Sequence, residues 1–156
     1  MRRKDREIRD FNVIKQIIAD CDTIHIGLAD GDYPYILPMS FGHEVVNECI
    51  YFYLHGAKVG RKIDLMKKNG VCSFEMDCSH SAAMDPDRKE ATMHYRSIMG
   101  KAEIEFLEGE NKIHALNLIM DHYNVSRGKE YETAHIPHTA VIRLKVTEYS
   151  AKQNPN

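Results

Sequence analysis

The sequence predicts a mainly β domain: an antiparallel sheet closed, or nearly closed, into a small barrel of about six strands, with helices outside it. Three observations carry this prediction. Stretches that alternate apolar and polar residues outnumber those with helical spacing across the 156 residues. Several connections are short and carry turn residues, so neighbouring strands return antiparallel. No strand–helix–strand rhythm of the kind that builds a parallel sheet runs along the chain.

Taken in order, Asp10 is an N-cap, and Phe11, Ile14, Ile17, Ile18 and Cys21 recur at helical spacing, predicting an amphipathic helix to about Asp20. Residues 23–28 alternate, with Ile24, Ile26 and Leu28 on one side and Thr23, His25 and Gly27 on the other. His25 reads as a strand-surface histidine. Asp30-Gly31-Asp32 turns the chain into a second strand, 33–41, whose Pro38 marks an edge or a bulge because proline cannot donate to a ladder. After a short polar connection, Cys49–Leu54 forms the third strand, with Ile50, Phe52 and Leu54 opposite Tyr51, Tyr53 and His55. A helix from about Gly60 to Lys68 ends at Asn69-Gly70 in a left-handed cap.

Residues 71–76 read as another strand, and Asp77–Lys89 as a polar excursion. Residues 92–106 form a long strand, with Ile98, Gly100, Ala102 and Ile104 facing one way and Tyr95, Ser97, Met99 and Lys101 the other. Gly100 inside it implies a bulge or a close backbone approach. A helix over 109–123 carries the stripe Ile113, Leu116, Met120 and Tyr123. Residues 124–138 form an irregular connection, 140–147 the last strand, and Ser150–Asn156 a frayed tail.

A formal net charge of −2 implies no general attraction to nucleic acid or anionic membranes. No apolar run approaches the roughly 18 residues that span a bilayer. The basic start, MRRKDREIRD, lacks the apolar core of a secretory signal, and a cytoplasmic location is expected. Cys21, Cys49, Cys72 and Cys78 form no CxxC pair. Cys72, Cys78 and His80, with His135 and His138 far along, match no tight zinc pattern, and no metal site is expected.

The stretch His55-Gly56-Ala57-Lys58-Val59-Gly60, opening a helix through Arg61-Lys62, is a candidate phosphate seat. Free N–H groups at a helix start and the positive helix end face an anion together, and two cations add charge-assisted contacts. A surface helix that merely starts with basic residues is the alternative. Likewise, Pro38-Met39-Ser40 either offers backbone groups to a planar polar ring or is an ordinary edge protected by proline.

The motifs 35–41 (YILPMSF), 50–57 (IYFYLHGA) and 60–62 (GRK), with the order of elements, resemble the 5-nitroimidazole-resistance (Nim) proteins. These belong to the FMN-binding split-barrel superfamily of pyridoxamine 5′-phosphate oxidase. The resemblance extends through 95–102 (YRSIMGKA), the helix 112–123 and the last strand. It implies a six-stranded antiparallel split barrel with FMN as cofactor. Arg61 and Lys62 match the pair that grips the FMN phosphate. Pro38, Met39 and Ser40 match the strand whose backbone meets the isoalloxazine edge, and His55 and Gly56 the turn that approaches the flavin. Tyr95 and Ser97 match positions reaching the cofactor, in a homodimer with FMN at the interface.

The activity implied is a flavin-dependent reductase. It takes electrons from a nicotinamide to small acceptors such as nitroimidazole-type nitro compounds, with His55 as the proton-transfer residue. The alternatives are an amine oxidase like pyridoxamine 5′-phosphate oxidase, or a non-catalytic flavin or haem binder. For the oxidase, Arg143 and Lys145 are a poor match to the substrate-phosphate Arg–His pattern near the C-terminus.

Overall fold

The computed structural model describes residues 3–85, 87, 89–125 and 133–154. After a short 3₁₀ turn come β1 (Glu7–Ile8), α1 (Phe11–Asp20), β2 (Ile24–Leu28), β3 (Tyr35–Met39), β4 (Gly42–Val46) and β5 (Cys49–Ala57). Then follow α2 (Arg61–Asn69), β6 (Val71–Asp85), β7 (Glu90–Phe106), α3 (Glu110–His122), a 3₁₀ turn (Thr133–His138) and β8 (Thr139–Asn154). All pairings in the sheet are antiparallel, in the order β3-β2-β6-β7-β8-β5-β4, with β1 added against the end of β8. The two edge strands, β3 and β4, are separated in the chain by only Ser40 and Phe41. The sheet must therefore curl until its edges meet, which makes it a barrel with a split.

The expected mainly β, antiparallel architecture with outer helices is present, and several boundaries differ. Eight strands occur among the described residues; the two beyond the expected six are β1 and β4. β4 lies where a polar connection was expected. Its polar residues are satisfied laterally, Tyr53 O–H donating to Glu44, and Asn47 and Glu48 make the tight hairpin with positive φ of 50° and 63°. The Asp77–Lys89 excursion is not a loop. β6 continues to Asp85 and pairs with β7 from Glu90, so two exposed strands satisfy each other's backbone without a hydrophobic pattern to announce it. Pro86 and Arg88 lie outside the described residues. The tail is ordered through Asn154, where Ser150, Ala151 and Lys152 pair with β7 or β1. Within the expected connection 124–138, residues 126–132 lie outside the described residues.

The barrel interior is filled by the inward sides of the strands. Phe52 meets Phe41 edge-on at 5.7 Å and Phe74 at 5.2 Å, surrounded by Ile24, Ile26, Leu54, Met76, Ile98, Ile142 and Leu144, all buried. Gly100 has the role expected of it: a Cβ there would fall 2.1 Å from the Glu148 carbonyl oxygen and 2.8 Å from the Phe74 ring, beside a register shift at Lys101/Ala102. Ile14, Ile17 and Ile18 of α1 join this core, and Asp10 caps the helix by accepting from the Asn12 N–H. α2 ends on Gly70 in the left-handed conformation, φ 65°, its N–H donating to the Met66 carbonyl.

α3 buries a different stripe from the one expected. Lys112, Ala115 and Ile119 face the sheet while Ile113 is exposed. The helix backbone packs directly on Gly42, where a Cβ would stand 2.5 Å from the Ile119 nitrogen. Lys112 reaches past the apolar surface to the Thr139 carbonyl oxygen at 3.2 Å and to Glu108 at 3.1 Å.

Candidate functional site

The first turn of α2 sits at the end of the β2–β3 hairpin, beside the end of β5. Gly60 precedes it with φ 116°, a conformation open to glycine, and no side chain caps the helix. The Gly60 carbonyl accepts from Ile63 and Asp64, and nothing stands within 4 Å of where a Gly60 side chain would be. The helix start is thus an open face of backbone donors at the positive end of the helix.

Two cations are gathered here by different means. The Arg61 guanidinium pairs with Asp30 and lies 5.2 Å from the centroid of the Tyr35 ring, so the turn 29–34 fixes its direction. Lys62 runs back over β5; a Cβ on Gly56 would meet its Nζ at 2.7 Å. With glycine at 56 the ammonium lies directly against the β5 backbone. His55 is its neighbour, and its imidazole is held below the ordinary value, first by loss of surrounding water and second by Lys62. Both causes favour its neutral form.

Pro38 and Met39 lie on β3, the sheet edge expected for a strand containing proline; Met39 is buried, while Pro38 and Ser40 are exposed. The corner after them is held by Tyr123 at the end of α3. Its hydroxyl accepts from the Phe41 N–H at 3.0 Å and donates to the Asp22 carbonyl at 2.7 Å. His122 makes the parallel tie to the Cys21 carbonyl at 2.8 Å. From sequence Tyr123 reads only as part of an apolar stripe, because its partners lie 82 and 101 residues away.

Arg61, Lys62, His55 and Gly56 are thus brought together at one end of the barrel. Tyr95 and Ser97 are not brought to them. They lie on β7, separated from β3 by β2 and β6, about 14 Å across the sheet at the usual strand spacing. Between these strands runs an open groove of about 440 Å³ on the outer sheet face, lined by His25, Gly27, Ile36, Glu75, Met99 and Tyr149 among others. Its Gly27–Ile36 end is one residue from Tyr35, on which Arg61 rests. Ile36, Met99 and Tyr149 are apolar and exposed.

Arg143 and Lys145 do not line this groove and are committed elsewhere, Arg143 to Glu105 and the Tyr51 ring, Lys145 to Glu103 at 3.8 Å. The four cysteines are free thiols, and no helix among the described residues is long and apolar enough to cross a membrane.

Three comparisons bear on this site. The family model described as pyridoxamine 5′-phosphate oxidase matches residues 12–153. Among solved structures, a protein from Bacteroides thetaiotaomicron provisionally assigned as a 5-nitroimidazole antibiotic resistance protein is 28% identical, with a TM-score of 0.82 over 94% of this chain and 86% of that one. The flavocytochrome Anf3 from Azotobacter vinelandii is 20% identical, with a TM-score of 0.81 over 100% of this chain and 72% of its own. An FAD and heme binding protein from Mycobacterium smegmatis is 14% identical, TM-score 0.81, over 97% and 74%. At those identities the last two are similar in fold alone. No curated protein sequence matches.

Proposed function

The chain belongs to the pyridoxamine 5′-phosphate oxidase family, and on that premise we propose that it binds FMN and reduces small acceptors, nitroimidazole-type nitro compounds among them, with electrons from a nicotinamide. The observation that carries the reading is the uncapped start of α2, flanked by Arg61, held by Asp30, and by Lys62, lying over Gly56. The family and the flavin-binding structural neighbours support a flavin; FMN in particular is favoured by a seat built for a terminal phosphate.

The residues fit such a group. Lys62 supplies a point charge above Gly56, and Arg61 supplies guanidinium donors not taken by Asp30, already oriented before any ligand arrives. The backbone donors of the first α2 turn complete an anion site. The edge of β3 at Pro38, Met39 and Ser40 offers main-chain groups to the ring, and Tyr123 holds that edge still. A bound flavin supplies hydride and electron transfer that no protein side chain can. We assign proton transfer to the His55 imidazole, which lies beside Lys62. The commitment of Arg143 and Lys145 to carboxylates counts against a pyridoxamine-phosphate oxidase, because neither is free for a second substrate phosphate.

The working form we propose is a cytoplasmic homodimer with two shared sites. Tyr95 and Ser97 then serve the partner's flavin, which accounts for their distance from Arg61 within one chain, and the exposed apolar residues of the groove become covered.

The test is purification followed by flavin quantification, sedimentation, and anaerobic assay with a nicotinamide and a nitroimidazole. Stoichiometric FMN on a dimer and loss of the nitro absorbance are expected. Bound FMN without turnover of any nitro acceptor would replace the reductase with a flavin carrier. Oxygen uptake and peroxide from an amine phosphate would replace it with an oxidase. Failure to bind FMN at saturation ends the reading. In His55→Ala, full turnover with FMN bound would remove the proton-transfer role.

A further inference from the structure

A second cluster of donor groups lies on the outer face of the sheet, at the far side of the groove from Arg61. Glu75 and Asp77 are two apart on β6 and so point to the same face. His25 is the cross-strand neighbour of Glu75 on β2. One ligand atom from each of the three can be chosen so that all lie within 4.8 Å of one another. We propose that His25, Glu75 and Asp77 form a binding site for a divalent first-row transition-metal ion, a site independent of the flavin phosphate seat.

Two observations beyond proximity support it. The first is His25 Nδ1, which is buried, stands 3.5 Å from Glu75 Oε2 and makes no hydrogen bond. A buried ring nitrogen without a hydrogen bond is costly in a folded protein, and a metal ion between it and the carboxylates would satisfy all three groups at once. The second is the contact behind Asp77. His80 Nε2 lies 2.7 Å from Asp77, the outer hydrogen bond that commonly orients a ligating carboxylate.

One imidazole and two carboxylates form a set of intermediate hardness. It suits Mn²⁺, Fe²⁺, Co²⁺ or Zn²⁺; Mg²⁺ and Ca²⁺ favour oxygen alone, and Cu⁺ favours sulfur. Three protein ligands leave coordination positions open toward the groove. The sequence concealed the set because His25 and Glu75 are fifty residues apart, and only the β2–β6 pairing joins them.

The test uses the chelator-washed full chain, titrated with Co²⁺ and Zn²⁺ by calorimetry and visible absorption. One ion per chain and a cobalt d–d band are expected. His25→Ala, Glu75→Gln and Asp77→Asn should each weaken binding by at least the roughly 10–100-fold that outer-shell changes cost. Asp77→Asn should also abolish the metal-induced rise in Tm. The two isosteric variants lie on a partly exposed sheet face, so their melting without metal should match the unaltered chain. His80→Gln should give a smaller loss. Arg61→Ala/Lys62→Ala should keep the cobalt spectrum, which separates this site from the flavin seat. Absence of the band, equal affinity in Glu75→Gln and Asp77→Asn, or affinity that follows His135→Gln/His138→Gln instead, would overturn the assignment.

Discussion

Arg61 and Lys62 carry the phosphate proposal, and their replacement can be weighed residue by residue. A hydrogen bond to a charged group contributes about 1.5–3 kcal/mol. Lys62 is half-buried over Gly56, so its contact is shielded, and about 2 kcal/mol is expected from Lys62→Ala, roughly 30-fold in Kd. The Arg61 side chain is 68% exposed and shares its charge with Asp30, so the low end applies, about 1.5 kcal/mol or roughly tenfold. The double variant should lose roughly 300-fold or somewhat less, since adjacent sites need not add. Asp30→Asn releases the guanidinium and removes a negative charge near the phosphate. The worth of an exposed pair, at most about 1 kcal/mol, sets a gain of up to roughly fivefold. Quenching of FMN fluorescence at two salt concentrations measures all four, with thermal melting to show each variant folded. A double variant within threefold of the unaltered protein, or affinity insensitive to salt, would refute the reasoning.

Other outcomes follow from the packing and the buried histidines. Gly42→Ala puts a methyl 2.5 Å from the α3 backbone, which cannot rotate away, so a loss of roughly 1–3 kcal/mol and a Tm lower by several degrees are expected in a thermal melt. Tyr123→Phe removes the acceptor of the Phe41 N–H and the donor to Asp22, which should cost about 1–3 kcal/mol and loosen the Pro38–Ser40 edge, read as faster amide exchange there. His43 is held down to about 4 by burial, then by His122, and its Nδ1 is buried without a hydrogen bond. Its folded pKa lies below the unfolded value, so the unfolded chain binds the extra proton. Stability is full above about pH 6.5 and falls toward pH 4, by up to about 3 kcal/mol from this residue. His43→Phe should flatten that fall in denaturant titrations at stepped pH; an unchanged slope would show that His43 does not contribute.

Local chemistry determined much of this protein without help. Period-two alternation wrote the inward sides of β2, β5 and β7, because each strand buries one face in the barrel. Asp10, Gly70 and Gly100 could be assigned their roles since a cap, a left-handed stop and a close approach each admit few residue types. The phosphate seat proposed over 56–62 could be put forward for the same reason: such a seat at a helix start is built from neighbours in the chain. Tertiary structure alone decided what depends on distant contacts. It placed β4 and extended β6 and β8, where backbone pairing proceeds without an apolar pattern, and it rotated α3 to rest its backbone on Gly42. It aimed Arg61 through Asp30, pinned the β3 edge with Tyr123, and set His25 beside Glu75. Those juxtapositions join residues 31, 82 and 50 positions apart, and only the closing of the sheet brings such residues within bonding distance.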